Sequence, residues 1–187
     1  RVIVPFTNIQ DADEARRSFI APWKVHRESQ RSLDPFVHCS PLRPGRFTDG
    51  SFGLYYAGDR EEVALAETIH HHARLMAATA EKPGWTSDFR ALVGSIDGDL
   101  HDVDDMPGAR DPDDYAASQE LGARLRAAGS DGLTWSSVRM PGGRCLAAFW
   151  PDVVTIPVQG AHFTYHWDGD RVDYVKRYDT GAVLAVS

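Results

Sequence analysis

Residues 52–68 read FGLYYAGDREEVALAET. Phe52, Leu54 and Tyr56 alternate with Gly53, Tyr55 and Ala57, the two-residue period of a short strand. Asp49-Gly50 before it and Gly58-Asp59 after it supply the bounding turns. Asp59 then stands as an N-cap with Glu62 three residues later, the spacing of a capping box, so a helix is expected from here to about Ala80. On that helix Leu65, Ile69, His72 and Met76 form one apolar stripe, while Val63, Glu67, His70, His71 and Arg74 lie around an adjacent face. Glu67 is therefore expected beside a packed face.

Upstream, residues 1–45 read as an irregular approach, with a helix-compatible stretch at 13–19 and prolines at 22, 35, 41 and 44 that forbid a long helix. Downstream, a loop is expected at 81–90, then strands at 92–96 and 100–103 around Gly98-Asp99. An acidic connector at 102–114 leads to a second helix that should start at Asp111, with Pro112 in its first turn, and stop at Gly129. Its core stripe would be Tyr115, Leu121, Leu125 and Ala128. Strands at 133–139, 144–150, 153–158, 163–167 and 172–177 follow, separated by Pro141-Gly142-Gly143 and Asp168-Gly169-Asp170 turns. Strands outnumber helices without alternating with them, which predicts an α+β fold with a largely antiparallel sheet and a few flanking helices. The reading is one domain over 1–187, with a core at 46–150 and C-terminal strands at 151–187.

The composition agrees with one core: 187 residues, 42% hydrophobic and 25% charged. Twenty Lys+Arg against 27 Asp+Glu leave a formal charge of −7, which argues against a nonspecific nucleic-acid or anionic-membrane surface. Any phosphate must be bound locally. No apolar run approaches the roughly 18 residues of a membrane span. Cys39 and Cys145 fit neither a disulfide framework nor a thiolate zinc site, so a reducing cytoplasm is the simplest compartment. The opening at Arg1, without an initiator methionine or signal-type stretch, is expected to reflect trimming.

There is no GxxxxGK[ST], no GxGxxG after a strand, no HExxH and no GxSxG, which weakens the ATPase, dinucleotide-fold, zinc-protease and hydrolase readings. The run His70-His71-His72 does not suit one ion, because neighbours on a helix diverge by about 100°. No metal is expected; one histidine should pack inward and the others be solvated. Arg46, Tyr56, Glu67 and Ser137 gain interest from position. Taken singly, each has an ordinary explanation: a surface ion pair, a half-buried sheet residue, a solvated helix acid and an outward-facing strand hydroxyl.

Together they carry a resemblance. Gly45-Arg46-Phe47, the 52–58 strand, Val63-Ala64-Leu65-Ala66-Glu67-Thr68, and Gly132-Leu133-Thr134-Trp135-Ser136-Ser137-Val138-Arg139 occur in order, followed by Gly142-Gly143 and Ala147-Ala148-Phe149. This series resembles the RES-domain family over about residues 40–150, with Arg46, Glu67 and Ser137 as the Arg, Glu and Ser of its name. Trp135 stands where a tyrosine is expected. The resemblance implies a fold like that of ADP-ribosyltransferase toxins, NAD⁺ as substrate, and the toxin half of a pair neutralised by an Xre-type antitoxin.

On that basis Glu67 is expected to hydrogen-bond the nicotinamide ribose and stabilise positive charge at its anomeric carbon, since bond cleavage develops oxocarbenium character. Arg46, with Arg43 as a second candidate, would hold the pyrophosphate or an incoming phosphate. Tyr56 would offer its ring and hydroxyl to the ligand, and Ser137 would bind ribose or the nicotinamide amide. Ser136 should point to the opposite face. His71, four residues after Glu67, shares its helix face and would orient an acceptor. The expected reaction is ADP-ribose transfer to a protein, with NAD⁺ phosphorolysis or glycohydrolysis as the alternative. Readings of other classes are a noncatalytic nucleotide-binding or interaction module and a metal-dependent hydrolase using the histidines.

Overall fold

A computed structural model describes residues 2–4, 35–42 and 44–186. The stretch at 13–19 and Arg43 lie outside the described residues. The strands are β1 (Val2–Val4), β2 (Tyr55–Gly58), β3 (Trp85–Gly94), β4 (Leu100–Asp102), β5 (Gly132–Ser136), β6 (Arg144–Ala148), β7 (Val158–Trp167), β8 (Val172–Arg177) and β9 (Val183–Ala185). The helices that lie wholly within the described residues are α1 (Glu61–Ala77) and α2 (Ala116–Ala127). The strands join in the order β4-β5-β6-β2-β1-β3-β7-β8-β9. Only β4 and β5 pair in parallel among the described strands; all other neighbours are antiparallel. The chain is thus α+β with a largely antiparallel sheet, as its patterning predicts. Among the described residues no helix is long and apolar enough to cross a membrane.

Helix α1 joins the two halves of this sheet. Val63 enters a core with Phe47, Leu133, Trp135, Cys145 and Phe149, and Leu121 of α2 closes the same cluster. Leu65 and Met76, flanked by Ile69 and Ala73, pack instead on Phe89, Phe163, Tyr165 and Val175. The apolar stripe is real, and Val63, expected on the neighbouring face, is fully buried as well. Strand β2 is covered on both sides: Tyr55 and Ala57 meet Leu92, Ala148 and Val154, while Tyr56 packs on the first cluster.

Several boundaries differ from expectation, each because a specific partner claims the backbone or side chain. Val2–Val4, within the supposedly irregular approach, is a strand between β2 and β3. The capping box does not form: α1 begins at Glu61 behind Arg60, because Asp59 accepts the Arg144 amide at 3.2 Å and pairs with Arg60. Glu61 and Glu62 still complement the positive end of the helix. The second helix begins at Ala116 rather than Asp111, since the Asp111 carboxylate accepts the Asp113 and Asp114 amides at 2.9 and 2.8 Å and closes a turn. Ala128, placed in its core stripe, is exposed. β3 starts at Trp85 inside the expected loop because it pairs with β7 from Trp85↔Trp167 onward. The expected strand at 153–158 is a 3₁₀ turn, Pro151–Val153, followed by a bridge from Val154 to Ile96.

Candidate active site

β2 ends where α1 begins, and the first turns of α1 lie over β6 and its neighbour β5. Between these elements is a cleft of ≈ 360 Å³ whose lining includes Arg46, Tyr56, Glu67, His71, Trp135 and Cys145. Glu67 stands on its wall. Its Oε1 accepts a hydrogen bond from Ser137 Oγ at 2.8 Å and one from Cys145 Sγ at 3.4 Å. Its Oε2 lies 3.9 Å from Arg139 Nε.

Ser137 sits one residue past β5, in a turn, where a regular strand through 139 was expected. Its hydroxyl oxygen accepts the amides of Arg139 (3.2 Å) and Met140 (3.0 Å), and these bonds end the strand. With two donors on its oxygen, the hydroxyl proton is directed to Glu67. Ser136 points the other way, donating to Asp104 Oδ2 at 2.7 Å, as strand alternation requires. Cys145 faces the cleft from β6 opposite Trp135. Burial, and then the neighbouring Glu67, push its pKa up, so it is a thiol and a donor.

Among the described residues Arg46 makes no surface ion pair. It is 8% exposed, donates from Nη1 to the carbonyls of Asp111 (2.5 Å) and Ala109 (3.4 Å), and lies 4.6 Å from the Tyr115 ring centre. Carbonyls and a ring carry no net charge, so the charge acting on the guanidinium is that of the Asp111 carboxylate, whose pKa it helps to lower. The Tyr56 oxygen accepts the Phe47 amide at 3.0 Å, which leaves its ring to line the cleft edge-on to Trp135. Burial pushes that hydroxyl's pKa up.

The three histidines diverge, and not in the pattern of one packed and two solvated. His70 meets Arg139 Nη2 at 2.8 Å, His72 packs edge-on to Phe89, and His71 stands exposed at the cleft. Desolvation by the cleft walls lowers the His71 pKa, against the opposing pull of Glu67. Among the described residues no group of three His, Cys, Asp or Glu side chains is placed to hold a metal ion. The structure therefore brings Glu67 and Ser137 into contact and sets Arg46, Tyr56 and His71 on the same cleft. Cys145 and Arg139 also reach Glu67 and were not singled out by sequence; Arg139 lies within the quoted 132–139 block, whereas no local signal marks Cys145.

The RES domain profile matches residues 21–168, most of the chain, extending the resemblance on both sides of 40–150. The chain belongs to the RES-domain family. A relative from Sinorhizobium fredii (strain NBRC 101917 / NGR234), the uncharacterized protein y4oC, is 27% identical over 150 residues, covering 79% of this chain. The matched region spans 62% of that protein's length. In this RES domain the Glu and Ser of the family name touch, and the Arg lines the cleft beside them.

Proposed function

We propose that this RES domain binds NAD⁺ in the cleft, cleaves the nicotinamide–ribose bond and transfers ADP-ribose, with a protein side chain as the principal acceptor. In this reading the fold is of the ADP-ribosyltransferase type, and the chain is the cytoplasmic toxin of a pair neutralised by an Xre-type antitoxin. The observation that carries it is Glu67, a carboxylate oriented by Ser137 at 2.8 Å on the wall of a cleft that also holds Arg46, which among the described residues makes no ion pair with a carboxylate and is held by backbone carbonyls.

Nicotinamide leaves as a neutral molecule, because the C–N bonding pair cancels the charge on the ring nitrogen. The chain need supply little acid catalysis and instead must stabilise the cationic sugar and position the acceptor. Glu67 provides the negative charge and accepts from a ribose hydroxyl. Ser137, with its proton held by Glu67, orients the carboxylate in place of the ribose contact expected from sequence. Arg46 faces the pyrophosphate and the Tyr56 ring walls the pocket. The acceptor's lone pair forms the new bond to the anomeric carbon, and its proton passes to Glu67 or His71.

Phosphate as acceptor is the second reading, favoured by the carbonyl-held Arg46. Incubation with NAD⁺, with and without phosphate, followed by separation of ADP-ribose, ADP-ribose 1″-phosphate and labelled protein, tests both. Labelled protein as the main product supports transfer, and the 1″-phosphate supports phosphorolysis. NAD⁺ binding without nicotinamide release would instead support a noncatalytic module. Growth arrest on expression, relieved by the co-expressed antitoxin, tests the toxin assignment.

A further inference from the structure

The Arg139 side chain is among those closest to the Glu67 carboxylate. Its Nε is buried without a hydrogen-bond partner and lies 3.9 Å from Glu67 Oε2. That distance exceeds a hydrogen bond, so the attraction is between charges. The two side chains are 13% and 19% exposed, which limits screening by solvent. A buried guanidinium nitrogen without an acceptor is costly unless its position serves the charge it faces.

The guanidinium is anchored from behind. Nη2 lies 2.8 Å from His70 Nε2 and 3.5 Å from the Pro112 carbonyl. Burial, aided by Arg139, His71 and Arg74, depresses His70 to about 4, so its ring is neutral at neutral pH. A neutral Nε2 facing a guanidinium must be the acceptor, which places the ring proton on Nδ1. The Arg139 amide also donates to Ser137 Oγ, so one residue braces both partners of the Ser137–Glu67 contact.

We propose that Arg139 is a positioning residue for Glu67, holding Oε2 by charge while Ser137 and Cys145 hold Oε1. Clamped on both oxygens, the carboxylate plane is fixed before ligand enters. The proposal rests on Glu67 being the acting group at the cleft. It adds a cation whose task is to orient that group rather than to contact NAD⁺.

R139Q and R139K test it, since both keep the backbone amide on Ser137. R139Q is expected to lower kcat for nicotinamide release about 10- to 100-fold, the range for a misplaced reacting group, with KM within about 3-fold of wild type. R139K should recover part of kcat. Wild-type kcat in R139Q, or a raised KM with kcat intact, would overturn the positioning role, the latter pointing to a ligand contact. H70A, which removes the anchor and leaves the charge, should give a smaller kcat loss and serves if R139Q does not fold. If the wild-type protein releases no nicotinamide, the proposed reaction fails. Positioning is then read from crystal structures: one Glu67 rotamer on Ser137 in wild type and several in R139Q are expected, and a single unchanged rotamer in R139Q would refute it.

Discussion

Ser137 donates to Glu67 across 2.8 Å, although 70 residues separate them in the chain. The contact depends on two local features meeting. A turn just past β5 aims the serine hydroxyl, and the first turns of α1, seated on Val63, bring Glu67 over the end of the sheet. Neither feature orients a carboxylate alone.

Removal of the Glu67 charge should abolish catalysis while leaving the fold intact. Glu67→Gln keeps an acceptor oxygen for Ser137 but no negative charge to face a cationic sugar. A drop of about 100-fold or more in nicotinamide release is expected, in line with the loss of an electrostatic stabiliser. Chromatographic assay of nicotinamide and the thermal midpoint check the two halves. Turnover at the wild-type rate by folded protein would remove Glu67 from the site.

Ser137→Ala loses one acceptor and one donor at once. The Arg139 and Met140 amides lose their partner, and Glu67 keeps only the weak thiol donor on Oε1. The expected cost is about 1–3 kcal/mol in stability, from polar groups left unpaired. Activity should fall more than denaturation accounts for. Urea titration and turnover measured on one preparation separate these effects.

Gly143→Ala should disturb the site through the backbone, since the Gly143 carbonyl accepts the Ser137 amide at 2.9 Å. A Cβ at Gly143 would stand 2.3 Å from the Val63 side chain, so the start of α1 or the turn must move. Overpacking of this kind costs about 1–3 kcal/mol. Because Glu67 is one helical turn beyond Val63, kcat should fall as well. Gly142→Ala is the comparison: its Cβ meets nothing, and its strain comes only from φ +73°. That change should destabilise without the same loss of kcat.

Acid should weaken the fold above the range where carboxylates titrate. His70 is depressed from 6.5 to about 4, mainly by burial and next by Arg139, so unfolded chains take up its proton first as pH falls. Its contribution is complete above about pH 6.5 and is lost progressively toward pH 4. Burial lowers His72 in the same direction. Urea midpoints should be level from pH 8 to 7 and decline between about 6.5 and 5. His70→Gln should flatten that decline; an unchanged slope would exclude His70 as its source.

Much of the architecture was legible because its signals are local. The Leu65–Met76 stripe, the end of α2 at Gly129 with φ +78°, and the strand-to-helix passage at 55–61 follow from side-chain period and turn chemistry within a few residues. The helix starts differ from the local signals for the complementary reason. Asp59 and Asp111 are good capping residues, but each found another amide: Arg144, 85 residues away, for Asp59, and a tight turn for Asp111.

Arg46, Glu67 and Ser137 stand out by residue type and motif order, which the chain itself carries. Their environment was not. Whether Arg46 meets a carboxylate or the Ala109 and Asp111 carbonyls, whether Ser137 faces a ligand or Glu67, and whether Cys145 and Arg139 belong to the site are decided by packing. The sequence by itself determined the two helices, most of the strands, the family and the chemical groups, because period and turn chemistry act over short separations and the motif order is written in the chain. Only the tertiary structure decided which charges are paired and which oxygen each donor reaches, because those partners lie tens of residues apart and meet only when α1 closes over the sheet.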